Sequence, residues 1–260
     1  MNESLLKKLD IVLLIFFPVL AVVLSLAIRA NFLISTLLFL GLPSLWLSIR
    51  TPSTILKTLI FSLIFSIPVG IILDYIGTLS GSWLVPVTVL PFRFFDIVPI
   101  EDLVWFFFLI YNIIIFYEHF LDKGREQLVD RRMKYLIWPL IVIFITFLII
   151  WLINPGLLMM RYAYLWILII VSILPSITFL SFFPRLLSKY VKTAAYFFLI
   201  ALLFELTGLE LGQWAFPGDN FVGWVELFGY RFPFEEFFAW FIMAAICVLS
   251  YYEFFDDDHR

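Results

Sequence analysis

The chain has 260 residues, 63% of them hydrophobic and only 14% charged, with a net charge of −3. Soluble domains average about 45–50% apolar and about 25% charged residues, and no soluble globule of this size could bury so much apolar surface. A polytopic membrane protein is therefore expected. With no basic tract, nucleic acid is not an expected partner.

In chain order, apolar segments lie near 10–28, 31–49, 56–76, 97–118, 134–153, 160–181, 192–211 and 232–252. Each approaches the roughly 20 helical residues that cross a bilayer core. The expected fold class is an all-α integral membrane protein of about eight transmembrane helices. The first charge-free run, 11–28, ends at Arg29 without a small-residue cleavage site, so it reads as a helix and not as a signal peptide. With the N-terminus inside, the inner segments hold 13 Lys and Arg and the outer segments 4, namely Arg29, Arg93, Arg161 and Arg231. That imbalance favours both termini being cytoplasmic, in a multi-pass protein of the cell membrane.

The single cysteine, Cys247, excludes an internal disulfide and reads as a packing residue. His119 and His259 flank helix ends, and no His/Cys cluster has metal-ligand spacing. No glycine-rich phosphate loop appears, so no cofactor and no metal is expected.

Ten of the twenty acids fall in two stretches, 74–102 and 205–236. The stretches match. Asp74-x-x-Gly77-x-x-x-Gly81-x-Trp83 recurs as Glu205-x-x-Gly208-x-x-x-Gly212-x-Trp214. Further on, Pro99-Ile100-Glu101-Asp102 is answered by Pro233-Phe234-Glu235-Glu236. At the same offset of 134, Tyr117, Phe120 and Asp122 meet Tyr251, Phe254 and Asp256, and Trp105 meets Ala239. Two halves follow, 1–124 and 125–260. Four helices in each make them parallel repeats, with both acidic stretches on one side.

Charge-free runs place these acids. Helices without the motif have runs of 18 residues at 11–28, 20 at 30–49, 26 at 135–160 and 23 at 162–184. Helices with it have 16 at 58–73, 15 at 103–117, 12 at 193–204 and 16 at 237–252. A run of 15 spans about 22 Å of a core about 30 Å thick. To cross, these helices must carry Asp74, Glu101, Asp102, Glu205, Glu235 or Glu236 into the membrane, where acids usually mark function. Plainer readings exist. Acids after a proline suit a helix start, the glycines suit turns, Trp83 and Trp214 suit an interfacial belt, and Asp256-Asp257-Asp258 suits a solvated tail. None of these explains Asp74 and Glu205 at helix C-termini, where the dipole disfavours acids.

Paired carboxyls in an aromatic setting point to acid–base chemistry, with a proton shared within a pair. The faces of Trp83, Trp105, Trp214, Trp224 and Trp240 suit a cation. That combination fits protonation of an alkene, cyclisation of the carbocation and removal of a proton, with water excluded.

These residues resemble the membrane-integral lycopene cyclase family. The carriers are the doubled Pro-x-Glu-[Asp/Glu] at a helix start and the acidic Gly…Gly-x-Trp element before it. In that family the halves are separate subunits in some bacteria and one chain in archaea, and fungal forms are fused to phytoene synthase. The resemblance covers both halves and implies the fused two-half form. It implies conversion of the ψ-ends of lycopene to β-ionone rings, towards β-carotene, without net redox change and without a flavin. The implied partners are the polyene and the lipid bilayer, with other carotenoid-pathway enzymes as candidates. The implied acid–base residues are Glu101, Asp102, Glu235 and Glu236, with Glu235 or Glu101 as the proton donor. Asp74, Trp83, Glu205, Trp214, Trp105 and Trp240 support them. Glu101→Gln and Glu235→Gln are each expected to abolish β-carotene formation. Whether one site or two forms stays open. Rival readings are a cyclase acting on a C50 or ε-ring carotenoid, a proton-coupled transporter, and an intramembrane protease, which His119 and His259 are poorly placed to serve.

Overall fold

The computed structural model describes residues 3–122 and 133–255. The expected boundary between the halves at 124/125 lies outside the described residues, as do Asp256, Asp257, Asp258 and His259. Helices carry the fold: α1 Glu3–Ile28, α2 Phe32–Arg50, α3 Pro52–Leu79, α4 Ile100–Asp122, α5 Met133–Ile153, α6 Ala163–Phe182, α7 Pro184–Glu210 and α8 Phe234–Phe254. Among the described residues, seven are long and apolar enough to cross a membrane. The expected span at 134–153 is helical as α5, but its apolar part, Ile137–Ile153, is shorter. The outward faces of α1 and α5 are apolar, with Val12, Phe16, Trp138 and Ile153 exposed, as suits helices bathed in lipid.

Two loops, after α3 and after α7, fold over one end of the bundle. Each contains a short antiparallel hairpin: β1 Arg93–Phe94 with β2 Val98–Pro99, and β3 Trp224–Leu227 with β4 Tyr230–Pro233. The loops are tied together. Leu84 N–H donates to the Ala215 carbonyl and Ala215 N–H to the Leu84 carbonyl, both at 2.9 Å. Gly218 N–H donates to the Gly81 carbonyl at 2.9 Å, so close that a Cβ on Gly218 would stand 2.5 Å from that oxygen.

Four helices contain π-helical turns, at Leu37–Gly41, Glu118–Asp122, Leu168–Ile173 and Phe237–Met243. Two of these precede Leu-Pro-Ser, with the prolines Pro43 and Pro175. Proline removes an N–H and crowds the carbonyl four residues back, and a wider turn relieves this. At Val171 the carbonyl accepts the Tyr251 hydroxyl at 3.0 Å.

The turn at Phe237–Met243 has a larger consequence. A π-turn accommodates one extra residue in a helix and turns the residues that follow onto a different face. Trp105 is therefore opposed by Trp240 and not by Ala239, with ring centroids 5.0 Å apart. Tyr117 donates to Glu253, and Tyr252 donates to Glu118. Lys57 pairs with Glu118 at 2.9 Å and Lys189 with Asp122 at 3.0 Å. This buried ionic cluster lies at the end of the bundle away from the two loops. The apolar core between the ends is largely aromatic, with Phe39 stacked on Phe204 at 4.6 Å.

Candidate functional site

The first repeated element is a folded-back helix end. Gly81 (φ +75°) ends α3 and Gly212 (φ +63°) ends α7, in a left-handed conformation that favours glycine. Ser82 N–H donates to the Gly77 carbonyl, and Gln213 N–H to the Gly208 carbonyl, both at 2.8 Å. This is the six-to-one bond of a Schellman cap. The turn swings Trp83 over Gly77 and Trp214 over Gly208, where a Cβ on either glycine would overlap the indole ring. Trp83 Nε1–H then donates to Asp74 Oδ1 at 2.5 Å, and Trp214 Nε1–H to Glu205 Oε1 at 3.1 Å. All four fixed positions of the motif thus have a physical cause: acid, tryptophan, the glycine beneath the ring and the glycine at the turn.

The second element separates its two acids. Pro99 and Pro233 precede the first turns of α4 and α8 in extended backbone, with ψ near +150° and +146°. Glu101 Oε1 accepts the N–H groups of Val89 and Leu90 at 2.7 and 2.8 Å, and Glu235 Oε1 accepts Val222 N–H at 2.7 Å. These two glutamates are fully buried and anchor the loops. One residue on, about 100° around the helix, Asp102 and Glu236 point elsewhere.

They point into a cavity of about 250 Å³ beneath the loops. Asp74, Asp102, Glu205 and Glu236 all line it, together with Trp83, Trp105, Trp214 and Trp240. Glu101 and Glu235 do not line it. The Asp74 and Asp102 carboxyls are neighbours in the cavity wall and act on each other's charge, as are those of Glu205 and Glu236. Ionised carboxylates only accept, so a hydrogen bond within either pair would take one proton. Among the described residues no donor group reaches Asp74 Oδ2, Asp102 Oδ1 or Glu205 Oε2. The rest of the wall is apolar, including Phe65, Leu109, Leu168 and Val248.

Two residues at the site carry no motif signal. The Tyr164 hydroxyl, from α6, donates to Glu236 Oε2, and its ring meets Trp83 edge to face at 5.0 Å. Phe32 of α2 meets Trp214 in the same way at 5.6 Å. Arg93 is held by the Val85 and Ile97 carbonyls, both at 3.0 Å, and its charge acts on Asp74 and Asp102. Leu-Pro-Ser recurs at an offset of 132, Leu42 to Leu174, and the same offset sets Phe32 beside Tyr164, but a phenylalanine in one position gives no sign of a functional hydroxyl in the other. Trp224 lies apart, under the Arg231 guanidinium at 4.4 Å. Among the described residues no group of His, Cys, Asp and Glu side chains could hold a metal ion. Comparison with family models, with curated proteins and with solved structures returns no match.

Proposed function

We propose that this chain is a membrane-embedded cyclase that closes the ψ-end of a lycopene-type polyene to a β-ionone ring by proton addition and proton removal. The observation that carries the reading is the meeting of two buried carboxyl pairs in one tryptophan-lined cavity. Each pair combines the acid of a Gly…Gly-x-Trp element with the second acid of a Pro-x-Glu-[Asp/Glu] element. One proton per pair allows a neutral acid to give and an ionised partner to accept. The indole faces favour a carbocation, and the largely apolar wall disfavours the water that would capture it.

The cavity volume supports one reacting end at a time. About 250 Å³ is below the roughly 300–1,000 Å³ of sites that enclose a drug-sized ligand. It accommodates a ring-sized end group while the rest of the polyene lies in lipid. In this reading a single site serves both halves, and a one-ring product precedes the two-ring product. Arg93 places positive charge beside Asp74 and Asp102, which makes that pair the base. Glu205 and Glu236, with the Tyr164 hydroxyl, form the acid. Glu101 and Glu235 hold the roof.

In the same reading the chain is two parallel four-helix halves, 1–124 and 125–260, with α5 as the eighth span. Both termini are cytoplasmic and the protein sits in the cell membrane. The reciprocal Tyr117–Glu253 and Tyr252–Glu118 bonds and the reciprocal Leu84–Ala215 bridge support the repeat. The 13-to-4 distribution of Lys and Arg supports the orientation. The test is expression in a lycopene-accumulating host followed by pigment chromatography. Cyclised pigment is the expected result, and unchanged lycopene with protein in the membrane overturns the reading.

A further inference from the structure

A second buried polar array begins where the cavity ends. Thr58, Ser62 and Ser66 follow at four-residue spacing on α3, and Gly70 and Asp74 continue the line. Each four-residue step turns about 40° around the helix, so the line winds along α3 instead of keeping to one face. All three hydroxyl residues are fully buried, and none of the hydroxyls has a hydrogen-bond partner among the described residues. They differ in this from Ser44, Thr193, Thr207 and Ser250, which each donate to the carbonyl four residues back. Asn112 of α4 is also fully buried, with both amide atoms unpartnered.

The depths agree. α3 and α4 are antiparallel neighbours, with Asp74 against Asp102 at one end and Lys57 against Glu118 at the other. Asn112 lies about 15 Å along α4 from Asp102. Ser66 and Ser62 lie about 12 and about 18 Å along α3 from Asp74. The amide therefore stands level with the hydroxyls. The line runs about 24 Å from Asp74 to Thr58, and Lys57, one residue further, is about a tenth exposed.

Helix packing alone does not call for this array. At the offset of 132 that relates Lys57 to Lys189, Thr58, Ser62 and Ser66 become Tyr190, Ala194 and Phe198 in α7. At the offset of 131 that relates Asp74 to Glu205, Ser62 meets Thr193, whose hydroxyl donates to the Lys189 carbonyl, so the partnerless hydroxyls of this line belong to α3 and not to α7. Five polar atoms buried without partners are costly, and buried water making two to four hydrogen bonds is the usual remedy.

We propose that this array holds a file of water molecules that carries protons between the Asp74–Asp102 pair and the aqueous face beside Lys57 and Glu118. The inference goes beyond the cyclase reading and does not depend on it. Within that reading it closes the cycle. The proton added to the alkene comes from Glu205–Glu236, and the proton removed from the ring goes to Asp74–Asp102. Each turnover moves one proton between the pairs. It exchanges with solvent through the file, then returns across the emptied cavity to Glu205–Glu236, with no net gain or loss.

The test needs no substrate. Purified protein in lipid nanodiscs is moved into D2O, and the carbonyl stretch of the protonated buried carboxyls is followed by infrared spectroscopy. Asp74→Asn and Glu205→Gln assign the two bands. The Asp74-dependent band should exchange readily in the wild-type protein. Ser62→Val should slow it by about tenfold or more, while Ser62→Thr, which has the same shape and keeps a hydroxyl, should stay within about twofold. Equal rates for Ser62→Val and Ser62→Thr overturn the proposal, as does wild-type exchange as slow as that of the most protected amides. If the larger side chains prevent folding, Thr58→Val adds no volume and provides the same contrast with the wild type. Failure of the cyclase reading would appear separately, as unchanged lycopene in the pigment assay.

Discussion

Trp105 and Trp240 face each other in the cavity with ring centroids 5.0 Å apart and planes inclined at 53°. They come from α4 and from the π-turn of α8, below the level at which the four carboxyls gather. A cation formed on an end group beside them would meet aromatic faces. A desolvated cation–π contact is worth about 2 kcal/mol, or about 30-fold in rate. Trp105→Leu and Trp240→Leu should each lower cyclisation by roughly that factor, and Phe at either position should lose less. Rates come from pigment time courses normalised to membrane-bound protein.

The two acids of each Pro-x-Glu-[Asp/Glu] element should behave differently. Glu101 and Glu235 bond loop N–H groups, and neutralising such a bond costs about 1–3 kcal/mol of stability. Glu101→Gln and Glu235→Gln should lower the thermal unfolding midpoint in detergent while the folded fraction keeps measurable turnover. The sequence alone led to the opposite expectation, that these two substitutions abolish the reaction.

The glycines beneath the indoles should tolerate no side chain. Gly77→Ala and Gly208→Ala place a methyl group inside the Trp83 and Trp214 rings, and overpacking of this kind typically costs about 1–3 kcal/mol. Gly81→Ala and Gly212→Ala should cost about 1–2 kcal/mol from the left-handed backbone alone. In the first two variants tryptophan fluorescence should also shift as the indole leaves its acid, and in the second two it should not.

Tyr164 should matter through its hydroxyl. A hydrogen bond to a charged group contributes about 1.5–3 kcal/mol, so Tyr164→Phe should slow the reaction by at least about tenfold. The ring contact with Trp83 is retained, and expression and thermal stability should stay near wild type. Equal turnover of Tyr164→Phe and wild type would remove the tyrosine from the acid.

Much of this site is legible in the sequence, and the remainder has physical reasons for being hidden. Short charge-free runs and the doubled motifs locate Asp74, Asp102, Glu205 and Glu236, because lipid makes every charge in a helix conspicuous. The division of labour between Glu101 and Asp102 is not legible, since adjacent helical residues differ by a rotation whose direction depends on packing. The partnership of Trp105 with Trp240 is hidden by the π-turn at Phe237–Met243, which adds a residue without a glycine or proline to mark it. Tyr164 is hidden because it lies 72 residues from Glu236, in a helix with no acid of its own. The helices were expected from hydropathy, whereas the loop hairpins are too short, at two to four residues per strand, to show alternation.

In the proposed reaction Asp102 and Glu236, paired with Asp74 and Glu205, carry the protons. The most direct measurement is chromatography of pigments from a lycopene-accumulating host expressing Asp102→Asn or Glu236→Gln, beside Glu101→Gln and the wild type at matched membrane levels. The expected result is cyclised pigment from the wild type, a reduced but clear amount from Glu101→Gln, and a loss of about 10²–10⁴-fold from Asp102→Asn and Glu236→Gln. Wild-type levels of cyclised pigment from Asp102→Asn and Glu236→Gln would contradict it.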